Sequence, residues 1–208
     1  LERGRVLVAI LGLPYKCPPA PYEAALLIDE ALRARGLRGA VELVVTSPQP
    51  ASLPVAGPAS CQVIESFLTL QQIAFHPNRP VAQVAPGEVR YVGAEPETYD
   101  LLLAVPPHRP PAVVAEAGLV GSSGWIEVEP RTLRTAYEGV FAIGDVTQIL
   151  MANGQPLPKA GIFAEAQAAV VARQIAAEVA GGAEPRETEP PAFTGEGYCF
   201  IELGHGLA

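Results

Sequence analysis

Cysteines at positions 17, 61 and 199 are the side chains of this 208-residue sequence best suited to nucleophilic or redox work. The thiolate is the attacking form, so the question for each is what would favour it. Cys17 follows the cationic Lys16 and stands a few residues ahead of a predicted helix, so a neighbouring charge and a helix dipole both act in its favour. Cys199 sits near the end of the chain in Tyr198-Cys-Phe-Ile-Glu202. The alternative for any lone cysteine is a small buried hydrophobe. Cys61, at the start of an amphipathic helix, is read that way. Three scattered cysteines are too few for a disulfide scaffold or a Cys-x-x-Cys zinc site, and at most one pair can form.

A second constellation is Val140-Phe-Ala-Ile-Gly-Asp145, followed by Pro156-Leu-Pro-Lys-Ala-Gly161. It reads as a buried strand delivering Gly144 and Asp145 at its carboxyl end, with a helix over 161–180 soon after. Glycine lets a ligand chain approach the backbone, and aspartate accepts hydrogen bonds from sugar-like hydroxyls. The helix start offers free N–H groups to an electron-rich acceptor. The plainer alternative is an aspartate closing a local turn. The 161–180 helix carries Glu165, Arg173 and Glu178 as its only charges, which predicts that it is mostly buried. Glu165 in an apolar setting would suit proton transfer, a helix-edge salt bridge being the alternative. His76 and His108 lie beside prolines and read as solvated. His205 either lines the cysteine site or lies on the surface.

The elements that must hold these residues follow from periodicity. Arg5-Val-Leu-Val-Ala-Ile10 is a short β-branched run, read as a buried strand. Apolar positions over 22–35 recur with helical spacing, acidic residues come early, Arg33 and Arg35 late, and Gly36 stops the helix. With a strand over 41–45 this is a βαβ unit, whose ligands sit beyond the strands' carboxyl ends, where residues 11–21 lie. A linker over 47–58, a helix over 59–72 and a hairpin turning at Pro86-Gly87 between 81–84 and 89–92 come next. A buried strand over 101–105 leads into a proline-rich loop. Beyond residue 125 the expected elements are strands over 125–129 and 140–143, the 161–180 helix ended by Gly181-Gly182, a Pro/Glu connector over 184–191 and a last strand over 198–202.

A pyridine nucleotide at the first βα turn would want Gly-x-Gly-x-x-Gly, because its pyrophosphate lies against bare backbone. The turn here is Gly12-Leu-Pro-Tyr-Lys-Cys-Pro-Pro-Ala-Pro21. Its four prolines remove N–H donors and add ring bulk, which argues against NAD(P)H in that position. No Gly-x-Gly-x-x-Gly occurs anywhere in the sequence. The net charge of −8, without a basic stripe, argues against nucleic acid. An apolar fraction of 49% excludes general disorder, and no uncharged apolar run is long enough for a transmembrane helix.

Gly139-Val-Phe-Ala-Ile-Gly-Asp145 with Pro156-Leu-Pro-Lys-Ala-Gly161 and the Ala-rich helix after it resembles the second flavin-binding segment of the two-dinucleotide-domain flavoproteins. Tyr15-Lys-Cys-Pro-Pro-Ala-Pro-Tyr-Glu23 and Tyr198-Cys199 narrow the resemblance. They point to the branch of FAD-dependent pyridine nucleotide-disulfide oxidoreductases that holds sulfide:quinone oxidoreductases and the flavoprotein of flavocytochrome c sulfide dehydrogenase. The resemblance implies an α/β fold, with a Rossmann-like second dinucleotide-type domain over 1–124 and the C-terminal half of a FAD-binding domain over 125–208. It makes Asp145, with Gly144, a ligand of the flavin ribityl chain. Lys159, Ala160 and Gly161 fall near the pyrimidine edge, and Cys17 and Cys199 match the redox-active disulfide. Pairing of those two requires alpha carbons about 4.4–6.8 Å apart.

The departure is the family's first, Gly-x-Gly-x-x-Gly-bearing segment, so the chain is expected to be a piece of a longer protein. FAD then belongs to the parent and is expected to be bound weakly or not at all by these 208 residues. The implied partners are the missing N-terminal FAD segment, sulfide, and a quinone or cytochrome acceptor, in a protein soluble or peripheral to a bacterial-type membrane. Homo-oligomerisation through the surface that segment would cover is a further expectation. The competing readings are a binding or assembly module on the same scaffold and an NADH:acceptor flavoprotein.

Overall fold

The β-branched run near the start becomes the centre of a parallel sheet because both of its faces are covered. The computed structural model describes residues 1–180 and 192–207. Its elements begin with β1 (Gly4–Ile10), α1 (Ala20–Ala34), β2 (Val41–Thr46), α2 (Gly57–Leu70) and β3 (Ala74–His76). An antiparallel meander, β4 (Val81–Ala85), β5 (Glu88–Tyr91) and β6 (Ala94–Thr98), precedes β7 (Leu101–Val105). The main sheet is parallel in the order β3-β2-β1-β7. Val6, Val8 and Ile10 of β1 pack with Tyr22, Ala25 and Leu26 of α1 and Ile64 and Leu68 of α2. The alternate residues Leu7 and Ala9 pack with Val44, Val89 and Tyr91 under the meander. A strand covered on both faces needs a continuous apolar run, which is what 5–10 supplies.

The chain divides into two compact units, Leu1–His108 with Phe200–Ala208, and Arg109–Cys199. In the first, a buried ionic group ties three elements together. The Asp29 carboxylate, fully buried on α1, accepts from Arg33 Nε at 2.6 Å and from Arg38 Nε. Arg38 also donates to the carbonyls of Val41 (2.7 Å), Gln71 (3.0 Å) and Gln72 (2.8 Å). At the sheet's flank, Arg5 donates to Glu42 and to the buried Glu97, each at 2.8 Å, and its hydrogen bond holds the Glu42 carboxyl below the usual range. His76 Nδ1 lies 2.7 Å from Glu97 Oε1, so this half-buried ring is part of the ion cluster and not simply solvated.

The second unit holds α3 (Ala112–Glu116), β8 (Ile126–Glu127), β9 (Thr147–Gln148) and α4 (Gly161–Val179). Here the expectations from periodicity need correcting. Residues 140–143 form no strand. They meet 133–135 through a single bridge, Arg134 to Phe141, and Val140 and Ile143 are both exposed. A β-branched run becomes a strand only where a partner offers a ladder. Residues 198–202 likewise form no strand, with Tyr198 70% and Phe200 77% exposed, and the 125–129 strand shrinks to two residues. Helix α4 is not mostly buried. Gln167, Val170, Val171 and Gln174 face the core, while Ile175, Val179 and Glu165 are exposed. Few charges on a helix signal a low cost of burial and not burial itself. Strand β7 is half-exposed because it pairs on one side only. The Gly181-Gly182 stop and the 184–191 connector lie outside the described residues.

Candidate functional site

Prolines and a few hydrogen bonds shape the turn that carries Cys17. Leu11 N–H donates to Val105 O at 2.8 Å, and Lys16 N–H to His108 Nδ1 at 2.7 Å. His108 is therefore a loop clamp, which corrects its reading as a solvated ring. Ala20 N–H donates to Cys17 O, and Tyr22 and Glu23 N–H to Pro19 O. Prolines 14, 18, 19 and 21 have no N–H to offer. A pyrophosphate needs a cradle of outward-facing amides at this position. Four prolines leave this turn short of such amides.

Cys17 itself is exposed and adopts φ +53°, a left-handed conformation uncommon for a residue with a side chain. Beneath it, buried Tyr15 donates its hydroxyl to Pro18 O at 3.0 Å. Burial pushes the Tyr15 phenol up to about 12. The nearby Cys17 adds to the shift. Tyr22 is fully buried, stacks edge-on against Phe75 with centroids 5.8 Å apart, and is pushed up further by burial. Cys61 is buried in α2, its carbonyl accepting from Ser52 Oγ at 3.4 Å, as a structural cysteine should be.

Cys199 is exposed and is the last residue of the second unit. The residues after it return to the first. Ile201 and Leu203 pack against its core, and the Glu202 and His205 amides donate to Glu23 and Glu30 of α1, each at 3.0 Å. His205 is exposed at φ +56°.

In the second unit, residues fifteen positions apart in sequence meet at one narrow crevice. Gly144, Asp145, Thr147, Lys159, Ala160 and Gln167 line it, and its volume of about 10 Å³ admits one water-sized sphere. A larger molecule would lie against the rim and not inside. Residues 144–146 form a single 3₁₀ turn. Gly144 has φ +70°, and a Cβ there would come within 3.3 Å of Ala164 Cβ, so the position calls for glycine twice over. Its N–H donates to Gln167 Oε1 at 2.5 Å, and its carbonyl accepts from Thr147 Oγ1 at 2.8 Å. Lys159 Nζ donates to the carbonyls of Asp145 (2.8 Å) and Thr147 (3.0 Å) and lies 3.5 Å above the centre of the Trp125 ring. The lysine thus fastens the turn to the approach of α4.

At the start of α4, Ala160 O accepts from the amides of Phe163 and Ala164, while those of Gly161 and Ile162 have no acceptor among the described residues. Gly144, Asp145, Lys159, Ala160 and Gly161 are therefore neighbours, with a carboxylate and two open amides between them. Gln167 and Trp125 were not singled out from sequence. The signal for Gln167 was an amide on the apolar face of a helix, where a buried polar group must have a partner.

No family model matches the chain. Among curated proteins, a sulfide-quinone reductase of Aquifex aeolicus (strain VF5) is 27% identical over 188 residues, covering 84% of this chain and 43% of the relative. The mitochondrial sulfide:quinone oxidoreductase of Mus musculus is 23% identical over 183 residues, covering 84% and 39%. The chain thus spans about two fifths of the length of the curated relatives it matches. Among solved structures, the Aquifex aeolicus sulfide:quinone oxidoreductase superposes with a TM-score of 0.71 at 26% identity, over 85% of this chain and 44% of that one. A FAD-dependent pyridine nucleotide-disulphide oxidoreductase from Desulfovibrio vulgaris shares the fold alone, with a TM-score of 0.58 at 20% identity over 83% and 42%. The α/β chain is a homologue of the sulfide-quinone reductases, with structural neighbours in the FAD-dependent pyridine nucleotide-disulfide oxidoreductase family.

Proposed function

We propose that this chain supplies the redox cysteines and one side of the flavin site of a FAD-dependent sulfide oxidoreductase that delivers electrons to a quinone or a cytochrome. The observation that carries the flavin half of this reading is the clustering of Gly144, Asp145 and the open amides of Gly161 and Ile162 at the start of α4. A carboxylate suits the hydroxyls of a ribityl chain, and helix-terminal amides suit the carbonyl and nitrogen acceptors of a pyrimidine edge. The donor set fits the group. FAD, when bound, supplies the capacity to accept two electrons and pass them on. In this reading residues 1–124 are the second dinucleotide-type domain and 125–208 the returning part of the flavin domain.

The cysteine half rests on Cys17 and Cys199. Hydrosulfide attacks one sulfur of their disulfide, the S–S bond breaks, one cysteine keeps the added sulfur as a persulfide and the other leaves as a thiolate. Exposure of both residues gives the small anion access. The four prolines of the Cys17 turn speak against a pyridine nucleotide as the electron source. The test is sulfide-dependent quinone reduction by the FAD-loaded gene product. Cys17→Ser and Cys199→Ser should each lower the rate by roughly two orders of magnitude or more. An undiminished rate in Cys17→Ser would overturn the reading and leave a binding or assembly module in its place.

A further inference from the structure

The segment 201–207 is held to α1 mainly through its backbone. Glu202 N–H donates to Glu23 Oε1 and His205 N–H to Glu30 Oε1, each at 3.0 Å. The two carboxylates are seven positions apart (30 − 23 = 7), which is two helical turns and one face of the helix. Ile201 and Leu203, half-buried, pack against the adjoining core. At Gly204, φ is +79° and a Cβ would meet Glu30 Cβ at 3.4 Å and Leu26 O at 3.5 Å, so glycine lets the tail approach the helix closely. Leu203 N–H donates to Leu207 O and Leu207 N–H to Gly204 O, closing the segment on itself. Hydrogen bonds to a carboxylate are roughly twice as strong as neutral ones.

We infer that Glu23 and Glu30 are positioning residues: they strap 201–207 along α1 and, through the chain from Glu202 back to Cys199, confine that cysteine near the first turn of the helix. Three residues span at most about 11 Å of extended chain. Glu23 stands in the first turn of α1, which the chain enters directly from the Cys17 turn. A tether of this length raises the effective concentration of one thiol at the other. The inference rests on the Cys17–Cys199 pairing proposed above.

The test equilibrates the 208-residue chain in glutathione buffers and quantifies the Cys17–Cys199 disulfide by non-reducing peptide mapping. In that reaction the two protein thiols lose two electrons and two protons to glutathione disulfide, which becomes two glutathione thiols. Glu23→Ala with Glu30→Ala should lower the effective concentration about tenfold or more. Amide hydrogen exchange at 202 and 205 should quicken in parallel. Glu23→Gln with Glu30→Gln keeps an acceptor oxygen at each position and should restore most of both. Faster exchange at 202 and 205 with an unchanged effective concentration overturns the positioning role while the pairing stands. Unchanged exchange in the alanine variant overturns the strap itself. Failure of the unsubstituted chain to form this disulfide at any glutathione ratio overturns the pairing and the positioning together.

Discussion

Tyr15 gives the Cys17 turn a measurable signature. Burial raises its phenol from 10.0 to about 12, so the folded chain holds that proton more tightly than the unfolded chain does. The associated stability is fully present below pH 10.0 and is lost as pH rises towards about 12. Tyr22 shifts in the same direction and shares the alkaline limb. Tyr15→Phe should therefore make the fall in stability across that window shallower, and at neutral pH it should cost about 1 kcal/mol for the lost bond to Pro18 O. Urea unfolding followed from neutral to alkaline pH reads both effects. An unchanged alkaline limb would mean that Tyr15 ionises as it does in the unfolded chain.

Among the elements, α1 depends on one buried charge. Asp29→Ala would leave the guanidinium of Arg38, and part of that of Arg33, without its counter-ion beneath the start of β2, at a cost of about 3–5 kcal/mol. Denaturant unfolding checks this, and a loss below about 1 kcal/mol, the range of a surface pair, would contradict it. The sequence marked Asp29 only as an acidic residue early in a helix. Its burial was not readable, because both arginine partners depend on where the chain goes after α1. By contrast β1, α1 and β2 were readable to within two residues at each end, since each apolar period had one face or two faces to fill. Strands β3 and β6 escaped notice, one being three residues long and the other, Ala-Glu-Pro-Glu-Thr, having almost no apolar side chains. The errors at 140–143 and 198–202 share one cause. Local β-propensity is visible in sequence, and the presence of a pairing partner is not. At the crevice the glycine, the aspartate and the helix start were all readable, whereas the fastening role of Lys159 emerged only once Trp125 and the turn carbonyls were located around it.

The two candidate redox cysteines stand near opposite ends of the chain: Cys17 in a proline-rich turn, and Cys199 just ahead of the tail that lies along α1. The homologues are sulfide-quinone reductases, and the chain spans about two fifths of their length. No described helix is long and apolar enough to cross a membrane. The most direct measurement needs neither flavin nor quinone. The chain is oxidised with glutathione disulfide, exposed to sulfide, alkylated, and mapped by mass spectrometry for cysteines carrying one added sulfur atom. The account predicts a persulfide on Cys17 or Cys199, a free thiol on the other, and an unmodified Cys61. Sulfur on Cys61 to the same extent, or on none of the three, would contradict it.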